Sequence, residues 1–335
     1  MKTTTNNTTP KPLNWAILGV GEIANQMAGE LQAAGRSVYS VGSRRREKAA
    51  AFAEKHGIGK VYDSQEEMFE DPQVDAIYIA TPHNSHYEYI KQALENGKHV
   101  LVEKAITLNS RELEEMVSLA EEKGLVLAEA MTIWHMPLYK KLSQMLEDGQ
   151  FGKVRLITAN FGSVKDYDMS NRFFNMNLAG GALLDIGVYA FSAIRSFMKI
   201  SPDHVSGQVR LAPTGADEQS VILVTNEDGQ MATVTLSLHA KQPKRIMVSC
   251  EKAYIEIMEY PRADKALVVD AITGQETVIE AGEMKRALVY EIEDMETAVA
   301  ENAFGLMRLD STRDVMSVMT KLRKDWGVQY PGEIW

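Results

Sequence analysis

The segment Ala16-Ile17-Leu18-Gly19-Val20-Gly21-Glu22-Ile23-Ala24 runs from an apolar stretch straight into a helix-period one and matches the G-x-G-x-x-A dinucleotide fingerprint. Gly19 suits the tight turn, Gly21 lets backbone approach a pyrophosphate, and Ala24 permits close helix-to-strand packing. Glu22 and Ile23 open a helix whose N-terminus favours the anion. Two glycines at a turn can be purely structural, so context decides: strand, helix and second strand fall where the motif needs them. At the end of the second strand an NAD-binding chain carries Asp or Glu for the ribose 2'-hydroxyl, whereas here Gly42-Ser43-Arg44-Arg45-Arg46 offers no carboxylate. A hydroxyl and a guanidinium suit a 2'-phosphate, which Arg can hold through two parallel hydrogen bonds. The expected cofactor is NADP held by Ser43 and Arg44, with NAD as the alternative. Arg45 and Arg46 fit a solvated helix start.

The elements that must position these residues are legible as a pattern. Short β-rich runs at 15–20, 37–43, 74–80, 99–102 and 126–130 alternate with helix-period segments, the signature of a parallel sheet with crossover helices. Ser64 with Glu67 and Asn109 with Glu112 match capping boxes, and Gly97 and Gly124 sit where C-caps belong. Beyond Pro137 strand-like stretches follow at 154–161, 221–225, 231–238, 246–250 and 254–259. Asp228-Gly229 and Thr273-Gly274 mark turns, and helices are expected at 138–146, 181–197, 285–301 and 311–325. The predicted class is α/β: an N-terminal Rossmann, doubly wound parallel sheet over 13–133, then an α+β domain over 134–335 with a largely antiparallel open sheet. Residues 1–12, polar and rich in Thr and Asn, read as a disordered tail with no signal-peptide core.

Composition narrows the function classes. A chain of 335 residues exceeds one hydrophobic core, and 45% hydrophobic with 24% charged residues is ordinary globular material. The net charge of -10 argues against nucleic-acid binding, which needs clustered Lys and Arg. One cysteine, Cys250, excludes an internal disulfide and a thiolate metal cage, fits a reducing cytoplasmic setting, and reads as a buried inert thiol. No uncharged apolar run has the roughly 18 residues of a transmembrane helix, so no membrane partner is expected.

The fingerprint is followed by Ala80-Thr81-Pro82-His83-Asn84-Ser85-His86-Tyr87-Glu88, by His99-Val100-Leu101-Val102-Glu103-Lys104, and by Gly180-Gly181-Ala182-Leu183-Leu184-Asp185-Ile186-Gly187-Val188-Tyr189. In this order and spacing the chain resembles the glucose-fructose oxidoreductase/inositol dehydrogenase (Gfo/Idh/MocA) family. Tyr189 places it nearest the dihydrodiol and xylose dehydrogenase branch, and Asp325 to Pro331 resembles the family's ending. The resemblance implies a Rossmann domain joined to an α+β domain whose open sheet often forms a dimer interface, hence a homodimer or higher homo-oligomer. It also implies catalytic roles for Lys104 and Tyr189. Ala105 departs from it, standing where the family has proline.

Interconverting an alcohol and a ketone needs an acid/base group within reach of the reacting oxygen while a hydride moves to or from nicotinamide. Lys104 closes a strand at the carboxyl edge of the sheet, where ligands bind in open α/β folds. An ammonium near the Tyr189 phenol, intrinsic pKa roughly 10, should lower that value. Asp185, four residues before Tyr189, shares its helix face. The assignment is Tyr189 as proton donor and acceptor, Lys104 as its electrostatic partner, and Asp185 as substrate orienter. Thr81, Pro82, His83, His86 and Glu103 are expected around the cofactor, and Arg172 and Trp134 on the substrate wall. No metal is expected: His83 and His86 lack a third ligand of suitable spacing.

The substrate class is a sugar, polyol, or cyclic diol or ketone. One rival is a non-catalytic NADP-binding sensor, against which Lys104, Asp185 and Tyr189 speak because a sensor needs no proton relay. The other is a redox-assisted lyase or glycosidase that retains its cofactor through turnover.

Overall fold

The computed structural model describes residues 12–335. Apart from Pro12, the expected tail lies outside the described residues. The first layer holds β1 (Trp15–Leu18), α1 (Glu22–Ala33), β2 (Ser40–Gly42), α2 (Arg46–His56), β3 (Lys60–Val61), α3 (Gln65–Glu70), β4 (Ala76–Ile79), α4 (His86–Glu95), β5 (His99–Glu103), α5 (Ser110–Lys123) and β6 (Leu127–Ala130). Its six strands are parallel in the order β3-β2-β1-β4-β5-β6. Every residue of β1 and β4 is buried, as parallel strands covered on both faces require. Helices α1 and α5 bury Ala24, Met27, Ala28, Leu31 and Leu113, Met116, Val117, Ala120, the i, i+3, i+4, i+7 stripe of a helix on a sheet. Ser64 and Asn109 cap α3 and α5 by accepting from the N–H groups of Glu67 and Glu112 at 3.2 and 3.0 Å. The strand order reverses between β1 and β4, and this switch point opens the ligand crevice at their carboxyl ends. The two-residue β3 escaped the sequence reading, being too short to show a period.

After α6 (Thr132–His135) and α7 (Pro137–Glu147) come β7 (Val154–Gly162), α8 (Val188–Phe197), β8 (His204–Leu211), β9 (Asp217–Thr225), β10 (Met231–Ser237), β11 (Gln242–Cys250), β12 (Ala253–Met258), β13 (Lys265–Asp270), β14 (Glu276–Glu280), α9 (Ala287–Glu301) and α10 (Leu309–Trp326). The eight strands run β14-β13-β12-β11-β7-β10-β9-β8, antiparallel except for the parallel pair β7 and β10. The inward residues Ile222, Val224, Val234, Leu236, Ile246, Val248, Ile255 and Ile257 are buried, and α8 packs on that face. The register turns Leu156, Val221, Leu223 and Met231 outward, all at least 40% exposed. The sequence reading missed β8, β13 and β14. β8 and β14 are the two edges of the sheet and bury almost nothing, so the alternation that betrays a strand is faint there. The run Met176–Phe197 has the length and apolarity of a membrane span, but 83% of its window is buried inside the fold.

The C-terminal region does not stay in its own layer: Leu288, Ile292, Met295 and Ala298 of α9 share one core with Trp15, Ile17, Met27 and Tyr78. The Trp15 indole donates to Glu296 at 3.1 Å, and Arg36 pairs with the same carboxylate. The nucleotide-binding layer is completed by a helix more than 150 residues beyond its last strand.

Candidate active site

The carboxyl ends of β1, β4 and β5 border a cleft of about 630 Å³. Gly19 sits at φ +107°, where a Cβ would stand 2.4 Å from the Ala80 carbonyl oxygen, so only glycine makes this turn. At Gly21 an added Cβ would meet nothing within 4 Å, because that position faces the open cleft. The first turn of α1 has no side-chain cap, leaving its N–H donors for a ligand. Glu22 and Ile23 line the cleft, while Ala24 is fully buried against the sheet as its packing role demands. Ser43 and Arg44 line it too, at the end of β2. Arg45 occupies the N-cap position of α2 without a side-chain capping bond, and Arg46 pairs with exposed Asp63, both away from the cleft. An open glycine, free helix donors and an exposed cation fit a dinucleotide.

Lys104 follows β5, and its ammonium donates to the Asp185 carbonyl at 2.7 Å and to Oδ1 of the same residue at 3.3 Å. It also lies 4.8 Å from the centre of the Tyr189 ring. The Lys104–Ala105 peptide is cis, and Lys104 reaches the cleft without the family proline. Asp185 lies in a widened π-type turn over Leu183–Gly187 rather than the regular helix expected from 181 onward, and Tyr189 is the second residue of α8. Both residues still meet Lys104. Burial works against the ammonium, but the charges of Asp185, Tyr189 and Glu103 outweigh it and raise the Lys104 pKa. Burial likewise opposes the Asp185 carboxylate, yet Lys104 and then Arg172 bring its pKa below the usual value. The expected lowering of the Tyr189 pKa is corrected: burial of the phenol exceeds the pull of Lys104, and the net shift is upward.

Around this triad, Glu103 accepts from the Tyr78 hydroxyl and lines the cleft, its pKa raised by burial. Thr81, Pro82 and His83, which follow the neighbouring strand β4, line the cleft as well. His83 Nε2 donates to the Lys104 carbonyl at 2.9 Å, and burial pushes its pKa down to about 3, so the ring is neutral. Arg172 borders the cleft with Nη2 3.8 Å from Asp185 Oδ1. Two expectations are corrected. His86 is fully buried, with Nδ1 3.0 Å from the Ala105 carbonyl oxygen and Nε2 2.8 Å from that of Thr81; it ties together the segments that follow β4 and β5 and does not line the cleft. Trp134 is 5% exposed, inside the core beside Arg308, and does not reach the cleft. Gln26, Gln65 and Leu178 also line the cleft, and nothing in their sequence context announced it.

Cys250, expected to be buried, is half-buried, and that burial pushes its thiol pKa up to about 11.

Residues 13–131 match the GFO/IDH/MocA oxidoreductase family's NAD-binding Rossmann fold, and residues 139–256 match the GFO/IDH/MocA C-terminal domain. The trans-1,2-dihydrobenzene-1,2-diol dehydrogenase of Xenopus laevis is 28% identical over 331 residues, 95% of this chain and 99% of that protein. The protein of the same name from Macaca fascicularis is 34% identical over 250 residues, 73% of this chain and 74% of that one. A 3-ketoreductase from Actinomadura kijaniata, solved with NADP and TDP-benzene, superposes with a TM-score of 0.81 at 23% identity, covering 94% of this chain and 98% of that one. A UDP-N-acetylglucosamine 3-dehydrogenase from Acidithiobacillus ferrooxidans gives 0.80 at 20% identity over 95% and 99%. At these identities the two structures establish a shared fold.

Proposed function

The chain belongs to the Gfo/Idh/MocA oxidoreductase family, and from that premise we propose that it interconverts an alcohol and a ketone on a sugar-like or cyclic substrate with NADP(H). The observation that carries this reading is the Lys104 ammonium, held by Asp185 at 2.7 and 3.3 Å and 4.8 Å from the Tyr189 ring, in the same cleft as the Gly19–Gly21 turn. The nicotinamide supplies the hydride donor or acceptor when bound. Gly21 and the α1 N-terminus take the pyrophosphate, and Ser43 with Arg44 take the 2'-phosphate. NADP is favoured because no carboxylate stands at the end of β2; the Actinomadura ketoreductase, of the same fold, is described with NADP.

Tyr189 donates a proton to the carbonyl oxygen in reduction and recovers it in oxidation. Lys104 stabilises the phenolate left behind, which a phenol of raised pKa requires. Asp185 fixes the ammonium and leaves its second carboxylate oxygen for a substrate hydroxyl. Neutral His83 holds the Lys104 backbone in place through its carbonyl. The outer face of the eight-stranded sheet, with Val221, Leu223 and Met231 each about half exposed, serves as the subunit interface of a homodimer.

The test is a spectrophotometric screen of NADP-linked turnover over aldoses, polyols, keto-sugars and cyclic diols, with Tyr189→Phe as control. Turnover that collapses in the control supports the reading. Tight NADPH binding with no turnover of any of these substrates would replace it with a sensor.

A further inference from the structure

The substrate wall of the cleft carries a surplus of cations. In the segment between β7 and Gly180, Arg172 lines the cleft and Lys165 stands behind it, both charged groups lying on one ring: the Lys165 ammonium is 4.1 Å and the Arg172 guanidinium carbon 4.2 Å from the centre of Phe173. Lys104 stands beyond them. One carboxylate serves this group: Asp185 lies 3.3 Å from Lys104 and 3.8 Å from Arg172. Lys165 forms no salt bridge among the described residues, and Lys244, the next cation along, is already paired with Glu259 at 3.1 Å. His83 is neutral, and Glu103 acts on Lys104 but not on Lys165, so neither offsets the charge of Lys165.

Asp185 is therefore the one carboxylate that faces all three cations, with Lys104 largely buried, Lys165 half-buried and Arg172 exposed, on a chain whose net charge is -10. Crowding like charges out of water is costly unless a counter-charge arrives. Here the cost is visible at Lys165, whose pKa burial lowers; Asp185 acts against that, while Arg172, Lys104 and Lys244 add to it, and the net shift is downward. The segment is also held in shape without a ligand. Thr214 Oγ1 donates to the Phe174 carbonyl at 2.6 Å, and Asn84 Nδ2 donates to that of Asn177 at 3.2 Å, tying it to both domains. The cofactor does not need these cations, since its phosphates are assigned to the α1 N-terminus and to Ser43 with Arg44, all on the Rossmann side.

We propose that the substrate carries an anionic group, a carboxylate or a phosphate, which Lys165 and Arg172 bind while Tyr189 and Lys104 face the reacting hydroxyl. This deepens the dehydrogenase reading and rests on it for the position of that hydroxyl. Arg172 offers the fork that pairs two oxygens at once, and Lys165 adds a point charge beside it. The Phe173 ring face holds both charged groups side by side.

Calorimetric titration of the full chain, saturated with NADP, with a matched trio tests this: a neutral polyol, its carboxylate form and its phosphate form. NADP-linked turnover of the same three is measured in parallel. One anionic member should bind at least about tenfold more tightly than the neutral one, with the preference declining as salt rises. Whichever anion is preferred identifies the group. Lys165→Met and Arg172→Gln should each collapse the ratio of anionic to neutral affinity, while Lys165→Arg should restore most of it. Equal or weaker binding of both anions, or a preference that survives both substitutions, would overturn the proposal. Binding preference without turnover would keep the anion site and remove the dehydrogenase reading instead.

Discussion

The Lys104 ammonium is anchored to Asp185 twice, at 2.7 Å by the backbone carbonyl and at 3.3 Å by the carboxylate. The two contacts differ in kind: the carbonyl fixes position, whereas the carboxylate also fixes charge. Burial is the largest influence on the Lys104 pKa and acts downward; the Asp185 charge is the largest force opposing it. Asp185→Asn keeps an acceptor in place but removes that charge. The Lys104 pKa should then fall below its ordinary value, and the alkaline limb of kcat/KM should move to lower pH, in a profile measured from roughly pH 6 to 11. An unmoved limb would show that Lys104 does not titrate in catalysis.

Tyr189→Phe removes one hydroxyl and keeps the ring against Lys104. Loss of a positioned acid/base group should lower kcat by about 10²- to 10⁴-fold. NADPH affinity, read by fluorescence titration, should stay unchanged because the dinucleotide residues stand at the other end of the cleft. Retention of near-normal turnover would remove Tyr189 from the reaction.

Ser43→Asp places a carboxylate where the 2'-phosphate is assigned. The charge should repel NADP and accept the ribose hydroxyls of NAD, lowering the NADP/NAD ratio of kcat/KM by at least about tenfold. Arg44→Ala should lower the same ratio by weakening the NADP side alone. An unchanged ratio in both variants would place the 2'-phosphate elsewhere.

Glu291 of α9 is fully buried with neither carboxylate oxygen hydrogen-bonded to the described residues, and burial raises its pKa well above the usual value, with Glu103 adding repulsion. The folded chain therefore holds a proton that the unfolded chain releases near pH 4.3. Stability from this group is fully present below about pH 4.3 and is lost as pH rises through the raised folded value. Glu291→Gln removes the titration. The variant should melt at a higher temperature than the parent at about pH 8, corresponding to on the order of 1–3 kcal/mol, with the gap closing towards about pH 4. A gap independent of pH would mean that Glu291 is not the group responsible.

Leu223 stands half exposed on the outer face of the large sheet, two residues from Val221 on the same strand and face. Leu223→Arg should convert the proposed dimer to a monomer in analytical ultracentrifugation while leaving the melting of the core intact. An unaltered sedimentation coefficient would locate the interface on another surface.

The sequence by itself determined the nucleotide-binding half to near completion. Parallel strands are buried on both faces, so β1 and β4 appear as uninterrupted apolar runs, and the glycine turn, Ser64, Asn109 and Gly124 mark helix ends through bonds that are local in the chain. It also placed Lys104 at a strand end and Asp185 one turn before Tyr189, because both follow from backbone periodicity. Tertiary structure alone decided the rest. Helix α9 returns to the first sheet across a gap that no local pattern spans. His86 and Trp134 sit near cleft-lining segments in the chain, yet packing turns one onto two carbonyls and buries the other in the core. The Tyr189 pKa rises although Lys104 is where it was expected, because desolvation sums over every element that covers the phenol while the pairwise attraction involves one neighbour. The surplus charge at Lys165 and Arg172 has the same origin: each residue is an ordinary surface cation in the sequence, and only folding brings them with Lys104 around a single carboxylate.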